Sequence, residues 1–168
     1  MKIKTDLEPV IEKIEAKKLV GKSISMSLMD NKTFDLFSEF MPKRNDISNN
    51  ISEDIFEVLL YNKAYFKNFN PNNMFIKWAC LEVFDFENTH KNMKQLPIES
   101  GLYARFNYKG LAKDIGELMT FIYSDWLPNS EYELDDRPHF NILGKKYKNN
   151  HPDSQETVCI PIKASAKD

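Results

Sequence analysis

Gly101 to Pro128 reads GLYARFNYKGLAKDIGELMTFIYSDWLP: a strand, a tight turn, one amphipathic helix and a proline stop. From Leu102 to Tyr108 the side chains alternate. Leu102, Ala104, Phe106 and Tyr108 fall on one side, and Tyr103, Arg105 and Asn107 on the other. A period of two marks a half-buried strand. Lys109-Gly110 breaks it, because glycine accepts backbone angles that other residues resist. From Leu111 the period becomes helical, with Leu111, Ile115, Leu118, Met119, Ile122 and Trp126 on one stripe. Pro128 is expected to end the helix, since proline disfavours the α conformation of the residue before it.

Working outward, the first half of the chain follows the same plan. A charged lead-in, Met1 to Glu15, is compatible with a short strand or an irregular arm. A strand is expected over Lys18 to Leu28, and N-cap candidates at Asp30 to Thr33 precede a helix striped by Phe34, Phe37 and Met41, with Leu36 and Phe40 flanking. Pro42 stops its regular pattern. Strands are expected at Asp54 to Tyr61 and Phe75 to Phe84, with an Asn- and aromatic-rich loop between them and a polar linker over Asp85 to Gln95. The second half adds strands at Pro138 to Leu143 and Glu156 to Lys163. Phe40-Met41-Pro42 answers Trp126-Leu127-Pro128 at an offset of 86, Ile55-Phe56 answers Phe140 at about 84, and Cys80 answers Cys159 at 79. Such agreement suggests two copies of one strand-helix-strand-strand unit, about 15–86 and 96–163, within a single domain spanning 1–168. The expected fold is α+β: one antiparallel sheet with pseudo-twofold symmetry and two helices on one face. The junction between the halves is a natural ligand cleft.

Composition narrows the function. With 42% hydrophobic and 12% aromatic residues, the chain can bury a sizeable core. Its 23 basic and 25 acidic residues nearly balance, which argues against direct nucleic-acid binding. Cys80 and Cys159 lie in apolar runs and read as buried free thiols. The three histidines have no metal-site spacing, so neither metal nor other cofactor is expected. No apolar run approaches about 18 residues, so no membrane span is expected, and the protein is placed in the cytoplasm.

The pattern GlYArF.ykG…iy.dWLp.S.yel…P.F, followed by a strand ending in Ile160-Pro161-Ile162-Lys163, resembles the gyrase-inhibitor-like or AraC-type effector-binding domain family. The resemblance runs from about Glu15 to Lys163. It implies a stand-alone small-molecule binder that senses or sequesters a lipophilic or aromatic compound. Too few residues precede the domain for a helix-turn-helix module. A protein-interaction module and a small hydrolase of reactive electrophiles are the alternatives it implies. Members hold cations between aromatic walls and a buried glutamate, which commonly sits in an fE.Y motif after the WLP helix. Here that stretch is Phe140-Asn141-Ile142-Leu143, with Asn141 in the glutamate's place and Leu143 in the tyrosine's. A neutral amide can hydrogen-bond a ligand but cannot neutralise a cation. Glu82, with the strand parity of Trp78, Cys80 and Phe84, and Glu156 are the carboxylates that could take over. Glu82 with Tyr103 could form a hydrolytic pair on paper. Trp78, Tyr103, Tyr123, Trp126 and Phe140 are the candidate aromatic walls. For Trp126 the competing reading is a core residue anchoring helix to sheet. Tyr103 shares a polar strand face with Arg105, which favours a cleft or surface position. Arg105 itself reads equally as a surface ion pair or an anion partner.

Overall fold

The computed structural model describes residues 7–166. Its first half contains β1 (Val10–Ile14), β2 (Lys17–Met26), α1 (Thr33–Phe40), β3 (Asn50–Leu60) and β4 (Phe75–Val83). The second contains β5 (Lys94–Ile98), β6 (Gly101–Lys109), α2 (Ile115–Phe121), β7 (Tyr132–Leu134), β8 (His139–Leu143) and β9 (Gln155–Ala164). Eight strands form one antiparallel sheet in the order β1-β6-β9-β8-β3-β4-β2-β5, and β7 pairs with the end of β9. This is the expected α+β architecture. The first strand of each half pairs with the other half: Ile14 lies opposite Gly101, and Lys17 opposite Ile98. Adding 84 to Ile14 and Lys17 gives Ile98 and Gly101, so the two pairings are one arrangement used twice. The halves meet at β3 and β8, where Glu57 pairs with Asn141 at the middle of the register, also 84 apart. The pseudo-twofold axis passes through that pair.

One face of the sheet carries the helices. On the first half, Leu36 and Phe40 of α1 pack on Val20, Ala79 and Leu81. On the second, Leu118 and Ile122 pack on Ala104, Phe106, Val158 and Ile160. Full burial of each such side chain is worth about 1.5–3 kcal/mol. The opposite face holds Leu19, Phe56, Val58, Trp78, Cys80, Ile98, Tyr103, Phe140 and Cys159, and no described helix covers it. Ile14 of one outer strand and Ile98 of the other both pack into this cluster, and Lys17, Lys94 and Arg137 lie over its Phe56, Trp78 and Tyr103 rings. Both cysteines are buried and unbridged there.

Several expectations need correction. The buried stripe of α1 is Leu36 and Phe40, while Phe34 is 82% exposed. Pro128 does not end the second helix. It sits in a short final segment, Leu127–Asn129, that continues the helical backbone through Trp126, and the chain turns extended at Ser130. Between α2 and that segment, Ile122–Trp126 forms a π-helical turn. Leu111 lies before the helix in extended conformation, and its carbonyl accepts the Tyr108 hydroxyl. The presumed linker ends in β5, an edge strand that tolerates Pro97. The polar lead-in contains β1, the strand option left open above; its first six residues lie outside the described part.

Candidate ligand-binding site

The halves join on the helix-bearing face along two rows of side chains. Lys77, Leu59 and His139 align across β4, β3 and β8. In the next row Ala79, Glu57, Asn141 and Val158 align across β4, β3, β8 and β9. α1 covers one end of these rows and α2 the other, leaving Glu57 and Asn141 at the centre. Asn141 is 4% exposed, and its amide donates to Glu57 Oε1 at 3.2 Å. The Lys77 ammonium stands 3.8 Å from the same oxygen and donates to Thr33 Oγ1 at 2.8 Å. Glu156 of β9 lies near this group. Burial, then the charge of Glu57, hold its carboxyl up at about 7, and Lys77 opposes them.

Aromatic rings close the seam above this polar floor. Tyr61 directly follows β3, and the turn after it supplies Tyr65 and Phe66. Tyr61 meets His139 edge-on at 4.9 Å and Phe66 at 4.9 Å. Phe66 stacks on His139 at 5.5 Å and leans on Tyr123 at 4.8 Å. Tyr123 comes from the π-helical turn, and its hydroxyl shares a hydrogen bond with His139 Nδ1 at 3.2 Å. Turns of this kind recur at functional sites. Burial keeps His139 neutral, with its pKa lowered to about 3, and the Arg137 charge adds to the effect. Burial likewise raises Tyr123 and Tyr61. The result is a box of uncharged rings over one carboxylate, one amide and one ammonium.

The residues singled out from sequence do not all meet here. Tyr123 and Asn141 belong to the seam. Phe140 faces the other way, because successive strand residues point to opposite faces. It contacts Phe56 at 5.8 Å and Tyr103 at 5.0 Å in the helix-free cluster. Tyr103 is fully buried there rather than lining a surface. Its hydroxyl donates to Pro138 O at 2.8 Å, the Arg137 guanidinium lies over its ring at 4.7 Å, and burial raises its pKa to about 12. Trp78 is on the same face with its indole N–H unpartnered and the Lys94 ammonium 5.7 Å from its ring. Glu82 is held by Lys17 at 3.4 Å on that face. Glu82 is thus paired with Lys17, and the Tyr103 hydroxyl with the Pro138 carbonyl. Trp126 packs edge-on against Phe106 at 5.3 Å, as a helix anchor does. Arg105 pairs with Glu12 at 3.3 Å on the sheet edge.

Sequence reasoning passed over Glu57, Lys77, His139, Tyr61 and Phe66. For Glu57 a signal was present. If Phe56 answers Phe140 at 84, the next residue, Glu57, answers Asn141. The carboxylate absent from the expected strand stands on its symmetry mate.

Residues 10–162 match the Cass2 family of integron-associated effector binding proteins. The chain belongs to this family. Solved structures agree on the fold. The EcmrR C-terminal domain superposes with a TM-score of 0.72 at 13% identity, over 96% of this chain and 100% of that one. SAV2435 bound to tetraphenylphosphonium gives 0.67 at 11% identity, over 94% of each chain. The Vibrio cholerae integron cassette protein VCH_CASS2 gives 0.67 at 12% identity, over 93% of this chain and 96% of that one. Comparison with curated protein sequences yields no match. In this fold the β3–β8 register sets Glu57 and Asn141 at the junction of the two halves, whereas Glu82 lies on β4, opposite Leu19.

Beside the seam and sharing Tyr61 with it, a shallow depression of about 320 Å³ opens at the ends of the strands, lined by Ser25, Leu60, Tyr61, Asn62, Met74, Phe75 and Ile76. Its polar groups are those of Ser25, Tyr61 and Asn62, and no lining residue is charged. Among the described residues no helix is long and apolar enough to cross a membrane.

Proposed function

We propose that this protein binds an aromatic small molecule in the seam between its halves, as a ligand sensor or sequestering protein. The observation that carries this reading is the partly buried Glu57–Asn141 pair on the pseudo-twofold axis, with the cluster of Tyr61, Phe66, Tyr123 and His139 beside it. Rings confer affinity for flat apolar surface, while the few polar groups orient it. The structural likeness to SAV2435 bound to tetraphenylphosphonium supports a ligand of this general kind. In this reading Phe66 stands where a ring of the ligand goes, and binding displaces it. Sequestration needs affinity alone; sensing needs a partner whose binding is linked to the ligand's.

A thermal-shift screen of lipophilic cations, neutral aromatics and amphipathic anions tests the proposal. A compound at 100 times its dissociation constant stabilises the native state by about 2.7 kcal/mol. At least one class should raise the melting temperature of the wild type and fail to do so with Tyr123→Ala. Absence of any shift, or a shift that survives both Tyr123→Ala and Asn141→Ala, refutes it.

A second reading, a protein-interaction module, rests on the exposed apolar side chains Met29, Phe69, Met74 and Ile76. The last two line the shallow depression, and the Met29 amide bonds to the Pro71 carbonyl in the loop that carries Phe69. Exposed apolar clusters of this sort mark docking surfaces. Met74→Asp combined with Ile76→Asp would abolish partner binding and leave ligand shifts intact.

A further inference from the structure

We propose that Lys77 is the specificity-determining residue of the seam: its ammonium reserves the Glu57 carboxylate, so that the site takes an uncharged aromatic molecule. This rests on the seam being the ligand site. A buried carboxylate attracts an organic cation when it lacks a partner. Glu57 does not lack one. Lys77 Nζ lies 3.8 Å from its Oε1, with the two side chains only 12% and 16% exposed. Thr33 Oγ1 accepts a hydrogen bond from the same ammonium at 2.8 Å, which anchors it beside the seam. The Asn141 amide donates to the same carboxylate at 3.2 Å, so it is compensated on two sides.

The nearby charges do not undo this balance. Glu156, its carboxyl pushed up to about 7 by burial and by the charge of Glu57, is mostly protonated at pH 6 and there adds no second full charge. His139 is neutral at that pH. An incoming monocation meets Lys77 first, and must either leave two positive charges on Glu57 or expel an ammonium from a half-buried site. An incoming anion meets Glu57. A neutral ring system meets neither penalty. It keeps the rings of Tyr61, Tyr123 and His139, and it can take the Asn141 amide or the Tyr123 hydroxyl for a hydrogen-bonding group.

The test is calorimetric titration of the full chain at pH 6 with two probes of similar shape, tetraphenylphosphonium and the neutral triphenylphosphine oxide. The wild type should bind the neutral probe at least as tightly as the cation. Lys77→Gln should shift the affinity ratio toward the cation by about tenfold or more, with the neutral affinity nearly unchanged, and Lys77→Arg should restore the wild-type ratio. A wild type that prefers the cation overturns the proposal, whether or not Lys77→Gln folds. So does a ratio that Lys77→Gln leaves unchanged. If both probes bind and Tyr123→Ala weakens both while Lys77→Gln leaves their ratio alone, the seam stands as the binding site and only the role of Lys77 falls. If neither probe binds any variant, both readings fall together.

Discussion

Phe66→Ala separates a ring that plugs the seam from a ring that walls it. Phe66 touches four other rings: Tyr123 at 4.8 Å, Tyr61 at 4.9 Å, Tyr65 at 5.0 Å and His139 at 5.5 Å. Truncating a fully buried phenylalanine costs about 3–5 kcal/mol. Phe66 is only half-buried, and it sits on a turn that can settle into the vacated space. A loss of about 1–2 kcal/mol is therefore expected, which lowers the melting temperature of a chain this size by about 2–8 °C. Any ligand that displaces Phe66 from the wild type must overcome the same contacts. The variant should accordingly bind triphenylphosphine oxide about 5- to 30-fold more tightly, the equivalent of that energy. Chemical denaturation gives the stability and calorimetric titration the affinity. Opposite signs, weaker folding with tighter binding, are the expected pattern. Lower stability with unchanged or weaker affinity would refute the reasoning and make Phe66 part of the wall.

Glu156→Gln should change how stability depends on pH. Its folded pKa, about 7, lies above the ordinary 4.5, so the folded state holds the proton more tightly. That contribution is fully present below pH 4.5 and is lost as pH rises to about 7. The variant should equal the wild type near pH 4 and exceed it by about 1–3 kcal/mol at pH 8, after allowance for solvent screening. An equal difference at both pH values would contradict this. His139 works the other way. Its pKa is lowered to about 3 from 6.5, so it supplies stability above pH 6.5 that is lost as pH falls toward 3. Denaturation profiles of Glu156→Gln should therefore decline more steeply below pH 6.5 than those of the wild type. Gly21→Ala should cost more than about 3 kcal/mol or prevent folding, because its Cβ would overlap the Ala79 carbonyl and the Cys80 backbone on the paired strand. A soluble variant with a wild-type denaturation midpoint would refute that.

Much of the fold was legible because it rests on periodicity. The alternation of Leu102 to Tyr108, the helical stripe through Leu118 and Ile122, and the offsets near 84 are local or pairwise properties of the chain, and sheet and helices followed from them. The site was legible in one respect, the neutral Asn141 at the junction. Choosing its companions required knowing which sheet face carries the helices. Glu82 in ACLEVF and Glu57 in DIFEVLLY are both single carboxylates in apolar strands, and parity alone ranks neither above the other. Once α1 and α2 are placed, Glu82 falls on the helix-free face and Glu57 on the axis. Parity also divides Phe140 from Asn141, adjacent residues that cannot share a pocket. Phe66 lies in an irregular turn whose contacts with Tyr123 and His139 are made by chain segments far apart in sequence, so no periodicity announces them. The π-helical turn that presents Tyr123 is likewise hidden, since one residue per turn too many leaves the apolar stripe almost unchanged.

A crystal structure of the protein with the compound that stabilises it most tests the central claim directly. The account predicts the compound between the two helices, against Tyr123, His139 and Asn141, with Phe66 moved out of the space it fills. A compound seated instead in the depression beside Leu60, Met74 and Ile76, with Phe66 still stacked on His139, would contradict it.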